Sequence, residues 1–237
     1  MNREYHKWYS SRLNRDMEML VFGHAGTPTI VFPTSQGRFY EYEDRGMVAA
    51  LGHKLEHGQL QLFCVDSVDA ESWYNKWVHP RQRVERHMAY EKYLLEEVYP
   101  LMRLKNGRRD YAVTGCSFGG YHAVNFALRY PDAVHYCYSM SGAFEMKKFL
   151  DGYYDQDCYF NNPFDYLPQM GDLWYLGRYA RNWYLLATGH HDFCWNDNER
   201  LAAIMRSKQM NHRLDVWGDG AMHDWPWWHR MAVQYLG

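Results

Sequence analysis

The sequence predicts an α/β architecture, a mostly parallel central sheet flanked by helices. Three observations predict it. Short apolar, partly β-branched runs alternate with longer stretches of helical periodicity, the pattern of consecutive β-α units. At the centre, residues 111–128 read as strand, glycine-rich turn and helix without a break. The 237 residues, 47% of them hydrophobic, suffice for a large core, and no repeat or low-complexity linker divides them. A single domain over residues 1–237 is the expectation.

Taken in order, residues 1–15 are polar and read as an initial strand or arm. Met17 to Phe22 is a strand, and Gly23 to Pro28 turns the chain into a second, Thr29 to Phe32. These two are expected to form the antiparallel opening of the sheet. Pro33 to Phe39 follows directly as a loop. Met47 to Glu56 reads as a helix and Leu60 to Val65 as a central strand. The next segment, Asp66 to Arg81, is aromatic and polar and leaves a strand's carboxyl end, where α/β sheets place their ligands. Its Trp73 and Tyr74 are candidate pocket residues; the plain alternative is a packed surface loop. Val84 to Leu104 carries a buried stripe of Met88, Leu94, Leu95, Val98, Leu101 and Met102, so a long amphipathic helix is expected. Pro100 lies inside that pattern and predicts a kink or restart.

Tyr111 to Thr114 is a short buried strand, followed by Gly115-Cys116-Ser117-Phe118-Gly119-Gly120. From Tyr121 the apolar residues recur at helical spacing until Tyr130-Pro131. Strand, G-x-S-x-G and helix make the setting of a nucleophile elbow. A turn this tight strains the serine backbone, and side chains two residues before or after would collide. Gly115 and Gly119 remove them. The turn also leaves the Phe118 amide at a helix N-terminus, where unpaired N–H groups favour negative charge. The alternative is an ordinary glycine-rich βα turn.

Ala133 to Met140 is the next strand. Residues 143–181 then break the β-α rhythm with prolines and many aromatics, and read as a largely helical cap inserted between strands. Either it walls a pocket, with Tyr159 and Phe160 as candidates, or it is a stabilising excursion; its departure from the serine's sheet edge favours the pocket. Trp183 to Ala187 is a strand, and Thr188-Gly189-His190-His191-Asp192 follows at once. Asn196 to Met210 is a helix, with Asn196 and Glu199 spaced as a capping box. Arg213 to Trp217 is the last strand, Gly218 to His223 a loop, and Asp224 to Tyr235 a closing helix with Pro226 in its first turn.

Composition excludes several classes. Lys plus Arg number 26 against 28 Asp plus Glu, a formal charge of −2, and no basic block stands out, so a nucleic-acid partner is not expected. No apolar run approaches the ~20 residues of a membrane-spanning helix. The N-terminus lacks an apolar leader core, so a mature, cytoplasmic chain is expected. Cys64, Cys116, Cys137, Cys158 and Cys194 are odd in number and lack C-x-x-C spacing, which fits reduced thiols.

A serine nucleophile needs a base, and the base needs an orienting acid. Nucleophile-elbow enzymes order the three as serine, acid, histidine. Of the 13 histidines, His6, His53, His57, His79 and His87 precede the elbow. His122 and His135 sit on the elbow helix and the next strand, where they pack or face solvent, and His229 lies in the terminal helix. His223 follows the last strand and can swing over the serine; His191 is second. For the acid, Asp192 lies at the strand mouth beside Gly189. Asp197 is the fallback, with an alternative task near a helix N-terminus. Metal binding by His190, His191, Asp192, His223 and Asp224 is the competing use. Adjacent loop histidines rarely point the same way and no H-x-x-x-H helix is present, so no metal is expected.

These pieces resemble the esterase D and feruloyl-esterase-type esterase family of α/β hydrolases, from about Ile30 to Trp228. The matching residues are Ser72-Trp73-Tyr74, the helix ending Leu-Leu-Glu-Glu-Val-Tyr-Pro-Leu, Gly-Cys-Ser-Phe-Gly-Gly-Tyr-His-Ala, Asn161-Asn162-Pro163, Asp165-Tyr166-Leu167, Gly-His-His-Asp-Phe, and Met-His-Asp-Trp-Pro-Trp-Trp. The last is the most telling, since that family carries its catalytic histidine there. The resemblance implies Ser117 as nucleophile, Asp192 as acid and His223 as base. The family usually opens its oxyanion loop with His-Gly, where this chain has Pro33-Thr34. Ser35 or Gln36 would then join Phe118 in the oxyanion hole; the alternative is a plain strand-ending turn.

The expected function is a serine carboxylesterase acting on a small-molecule ester without a cofactor. Acyl transfer on the same residues, or a binding protein that keeps the fold, are the alternatives. A homo-oligomer stays open.

Overall fold

In Leu60–Val65 and Ala112–Cys116 every residue is buried, and all but Gln61 are apolar or small. Strands of that kind are stable only when both faces of their sheet are covered. The computed structural model describes residues 1–237 and meets that condition. Its eight strands are β1 (Arg3–Ser10), β2 (Arg15–Phe22), β3 (Thr27–Phe32), β4 (Leu60–Val65), β5 (Ala112–Cys116), β6 (Tyr136–Met140), β7 (Trp183–Gly189) and β8 (His212–Trp217). They lie in one sheet in the order β1-β2-β4-β3-β5-β6-β7-β8.

The two N-terminal strands run antiparallel to their neighbours and every later pairing is parallel. The edge strand β1 alternates exposed and half-buried residues, as a strand with one wet face does. One expectation is corrected here. Strands β2 and β3 do not pair, because β4 lies between them with Leu20 opposite Cys64 and Ile30 beside Phe63. The antiparallel opening is the β1–β2 hairpin: the initial stretch that reads as a strand or arm is the strand β1, paired with the strand expected from Met17.

Helices cover both faces. On one lie α1 (Glu41–Asp44), α2 (Met47–Ala50), α3 (Gly52–Glu56) and, from the far end of the chain, α11 (Trp225–Tyr235). The single helix expected over Met47–Glu56 is thus two short ones meeting at Leu51. On the other face lie α4 (Pro80–Tyr93), α5 (Tyr99–Lys105), α6 (Phe118–Arg129), the inserted α7 (Gln156–Phe160), α8 (Pro163–Gln169) and α9 (Leu173–Tyr179), and α10 (Trp195–Ser207). Helices α4 and α5 are continuous through a π-turn at Leu94–Val98, where the Tyr99 amide reaches back to the Leu94 carbonyl. Pro100 has no amide hydrogen and its ring crowds the carbonyl four residues earlier, so the widened turn is the form its kink takes.

The capping box at Asn196 does not form. Helix α10 starts at Trp195, and the amide ahead of it, Cys194 N–H, is taken by Asp192 instead. Because β3 and β5 to β8 are parallel, the loops after them all emerge at one rim. That rim receives Ser117, Ser141, Asp192 and His223.

Candidate active site

Ser117 sits between β5 and α6 with φ 55° and ψ −121°, a conformation that costs a residue with a side chain about 1–3 kcal/mol. The glycines on either side make the turn possible. A Cβ on Gly115 would lie 2.3 Å from the Gly119 backbone, and one on Gly119 would lie 2.5 Å from the Phe32 and Pro33 carbonyl oxygens. The Ser117 amide is tied to the Met140 carbonyl of the adjacent strand, at 2.9 Å. Strain and tether together hold the hydroxyl above the rim.

The His223 ring meets that hydroxyl. Its Nε2 lies 2.9 Å from Ser117 Oγ, and its Nδ1 lies 2.9 Å from Asp192 Oδ1. With the ring proton on Nδ1, His223 donates to Asp192 and accepts from Ser117. The ring is packed on both sides: Phe193 at a centroid distance of 4.0 Å and Trp228 edge-on at 4.9 Å. Phe193 itself is 78% exposed and so is a surface cover rather than core. Trp228 is fixed by its indole N–H, which donates to Ser141 Oγ at 2.9 Å.

Asp192 is buried, and its Oδ1 also accepts the Cys194 amide at 2.7 Å. Burial pushes this carboxyl up, but the bonds from the His223 ring and the Cys194 amide outweigh it, leaving the group below the usual carboxylate range. The loop that carries it depends on Gly189, where a Cβ would come within 2.1 Å of the Ala221 carbonyl oxygen. That close approach lets the His191 amide bond Ala221, joining the acid's loop to the histidine's. Asp197 is engaged elsewhere: its carboxylate accepts the Phe144 and Glu145 amides at 2.9 and 3.1 Å. His190 and His191 are both exposed, with their rings 77° apart. The donor atoms of Asp192, Cys194 and His223 all lie within 4.8 Å of one another, but both nitrogens of His223 already face Ser117 and Asp192.

Facing the serine is the loop after β3. Phe118 opens α6, so its amide has no acceptor within the helix. In the facing loop the Gln36 amide donates to Asp69 Oδ2 at 3.2 Å. The Ser35 amide makes no hydrogen bond, while the Ser35 hydroxyl accepts from Tyr74 at 2.7 Å. Tyr74 also stands edge-on to Phe118 at 5.3 Å and to Phe149 at 4.9 Å. It therefore borders the site.

The other three pocket candidates do not. Trp73 is fully buried beneath this layer, packed on His87, Tyr121 and Phe149, because the tight Asp69–Tyr74 turn carries Ser72 and Trp73 inward together and leaves Tyr74 half-buried. Tyr159 and Phe160 lie toward the other end of α6, where Arg129 donates to the Phe160 carbonyl. The ends of α6 are about 16 Å apart at 1.5 Å per residue. There Phe160 lines a separate groove of about 280 Å³ with Leu128, Tyr130, Tyr166, Tyr175 and Tyr179. The inserted helices pack along the body of α6, and only Phe149, at their start, reaches Tyr74 and Phe118.

Several residues of this neighbourhood had no signal in the sequence. Ser141, Phe193 and the Cys194 amide act through position alone; Trp228 lay in the terminal motif without a role of its own.

Comparison with known proteins supports the fold independently. A protein-family model described as Putative esterase matches residues 10–235. No curated protein sequence matches the chain. Among solved structures, a ferulic acid esterase superposes with a TM-score of 0.78 at 16% identity, covering 99% of this chain and 96% of its own. An S-formylglutathione hydrolase from Staphylococcus aureus gives 0.74 at 14% identity, with 98% and 96% covered. A fluorophosphonate-binding serine hydrolase from Staphylococcus aureus gives 0.75 at 15% identity, with the same coverage. Likeness at such identities establishes the α/β-hydrolase fold.

Proposed function

Because this chain belongs to the Putative esterase family, we propose that it is a serine carboxylesterase whose nucleophile, base and acid are Ser117, His223 and Asp192. The observation that carries this reading is the unbroken hydrogen-bonded line from Ser117 Oγ through the His223 ring to Asp192, on a strained elbow.

The chemistry follows from those contacts. Ser117 Oγ attacks the ester carbonyl carbon as its proton passes to His223 Nε2. Asp192 holds the ring so that Nδ1 keeps its proton, and stabilises the imidazolium that forms. Charge collects on the former carbonyl oxygen, toward which the Phe118 and Ser35 amides are the free donors; Gln36 is committed to Asp69. One such donor contributes about 2.7–4 kcal/mol to the transition state. The C–O bond then breaks, His223 Nε2 gives its proton to the departing alcohol, and the acyl group stays on Ser117. Water, deprotonated by the same nitrogen, releases the acid and restores the serine.

A small-molecule ester suits an open rim bordered by Tyr74 and the exposed Phe193 and Met222. One sheet carries both cores, which supports a single domain. No helix is long and apolar enough to cross a membrane. Five unpaired, buried thiols support the cytoplasmic reading.

An ester panel run on the native chain and on Ser117→Ala, with a fluorophosphonate adduct located by peptide mass, tests the proposal. Turnover confined to the native chain and an adduct on Ser117 are expected. Equal turnover by both proteins would refute it.

A further inference from the structure

Every residue of the loop from Thr34 to Phe39 is held by a side chain or holds one. Glu41 accepts the Thr34 amide and hydroxyl at 2.8 and 2.7 Å, and Tyr74 donates to the Ser35 hydroxyl at 2.7 Å. Asp69 accepts the Gln36 amide, Ser67 donates to the Gly37 carbonyl at 2.8 Å, and Asp66 accepts the Arg38 side chain at 2.6 Å and the Phe39 amide at 3.3 Å. The segment Asp66–Tyr74 is therefore a template for this loop, which on its own would be an exposed turn with Gln36 at φ 56°.

One of those ties continues into the elbow helix. The Asp69 carboxylate, fully buried, meets His122 Nε2 at 2.8 Å, and His122 is itself only 3% exposed. His122 lies four residues after Phe118, one turn along α6. Its ring stacks on Phe32, the last residue of β3, at 5.7 Å and stands edge-on to the Phe118 ring at 4.9 Å. The path Gln36 N–H, Asp69, His122, α6 thus joins the loop carrying the Ser35 amide to the helix carrying the Phe118 amide. The serine, histidine and acid do not use it.

We infer that Asp69 and His122 are positioning residues that set the Ser35 amide in register with the Phe118 amide, so that the two donors converge on one oxygen. The inference rests on the esterase reading above. Without the pair each amide keeps its own element but the distance between them is free to change. A misplacement of about 1 Å at a reacting centre costs about 10²-fold in rate, the order of the loss on removing one oxyanion donor.

The test uses Asp69→Asn and His122→Phe, which remove the charge or the donor while filling the same space, and His122→Gln, which keeps a donor. Sites are titrated with a fluorophosphonate, and kcat is expressed per labelled serine. For the first two variants kcat per site should fall about 10- to 100-fold, with KM within about twofold and with an equal loss of affinity for a boronic-acid mimic of the tetrahedral intermediate. His122→Gln should recover most of the rate. A pair that only supports the fold would lower the number of labelled sites and leave kcat per site unchanged, and that result would overturn the inference. So would failure of both Asp69→Asn and His122→Phe to fold while His122→Gln is fully active. An unlabelled Ser117 in the native chain would instead defeat the esterase reading, so the two failures are distinguishable.

Discussion

His223 and Ser117 are 106 residues apart in the chain, yet the Nε2 of one lies 2.9 Å from the Oγ of the other. The contact exists because β5 and β8 end at the same rim, and because Phe193 and Trp228 hold the ring from two sides. It puts the ring nitrogen within hydrogen-bond reach of the hydroxyl, the distance that proton transfer between them requires.

Ser117→Ala and His223→Ala should each lower kcat/KM by about 10⁴- to 10⁶-fold, and the double variant should be no worse than either. Steady-state hydrolysis of an activated ester, with residual rates corrected against buffer, measures this. Additive losses in the double variant would mean that the two side chains do separate jobs.

Asp192→Asn should keep the fold, since the amide oxygen can still accept the Cys194 N–H. It should lower kcat by about 10⁴-fold, because an amide facing Nδ1 favours the wrong ring tautomer. Circular dichroism and burst kinetics together check both halves. Asp197→Asn, whose carboxylate caps the Phe144 and Glu145 amides, should leave kcat within about threefold while lowering stability by about 1 kcal/mol.

Gly119→Ala forces a Cβ to within 2.5 Å of two carbonyl oxygens that start the facing loop. We expect a loss of about 1–3 kcal/mol in urea unfolding, together with slower turnover. Gly177, inside α9, has nothing within 4 Å of its Cβ position, so Gly177→Ala should stabilise by about 0.5–1 kcal/mol. Equal effects of the two substitutions would contradict the packing described.

Stability should fall in two stages as the medium is acidified. Burial holds the His87 ring below the ordinary imidazole range, despite Glu91 beside it. The folded state keeps that ring neutral while the unfolded chain takes up a proton, so stability rises with pH and is lost as pH falls through about 6.5. Burial raises the Glu91 carboxyl, but Arg129 and His87 outweigh it, and Asp192 is likewise held low. Their contribution is present above the ordinary carboxylate range and disappears as pH falls through about 4 and below. Urea midpoints from pH 8 to pH 3 measure both stages; His87→Leu should flatten the first and shrink the second only by the part that His87 contributes at Glu91, leaving the parts from Arg129 and Asp192.

Much of this was legible in the residues themselves. Apolar runs marked β2 to β8, glycine spacing marked the elbow, and chain order singled out Asp192 and His223 from their rivals, because strand ends in a parallel sheet share one rim. What the one-dimensional pattern cannot carry is which side chain fills which space between elements. Trp73 reads as a pocket wall and is core; Tyr159 and Phe160 read as pocket and lie toward the far end of α6. His122 reads as packing or facing solvent and is bonded to Asp69, which in turn takes the Gln36 amide, while the Ser35 amide stays unpaired. Strand order was equally hidden, since β4 enters between β2 and β3 only after 27 residues (33–59) have crossed one face. Local periodicity and backbone chemistry decide elements and turns; hydrogen-bond partners and buried faces are decided by contacts between distant segments, which exist only once the sheet is assembled.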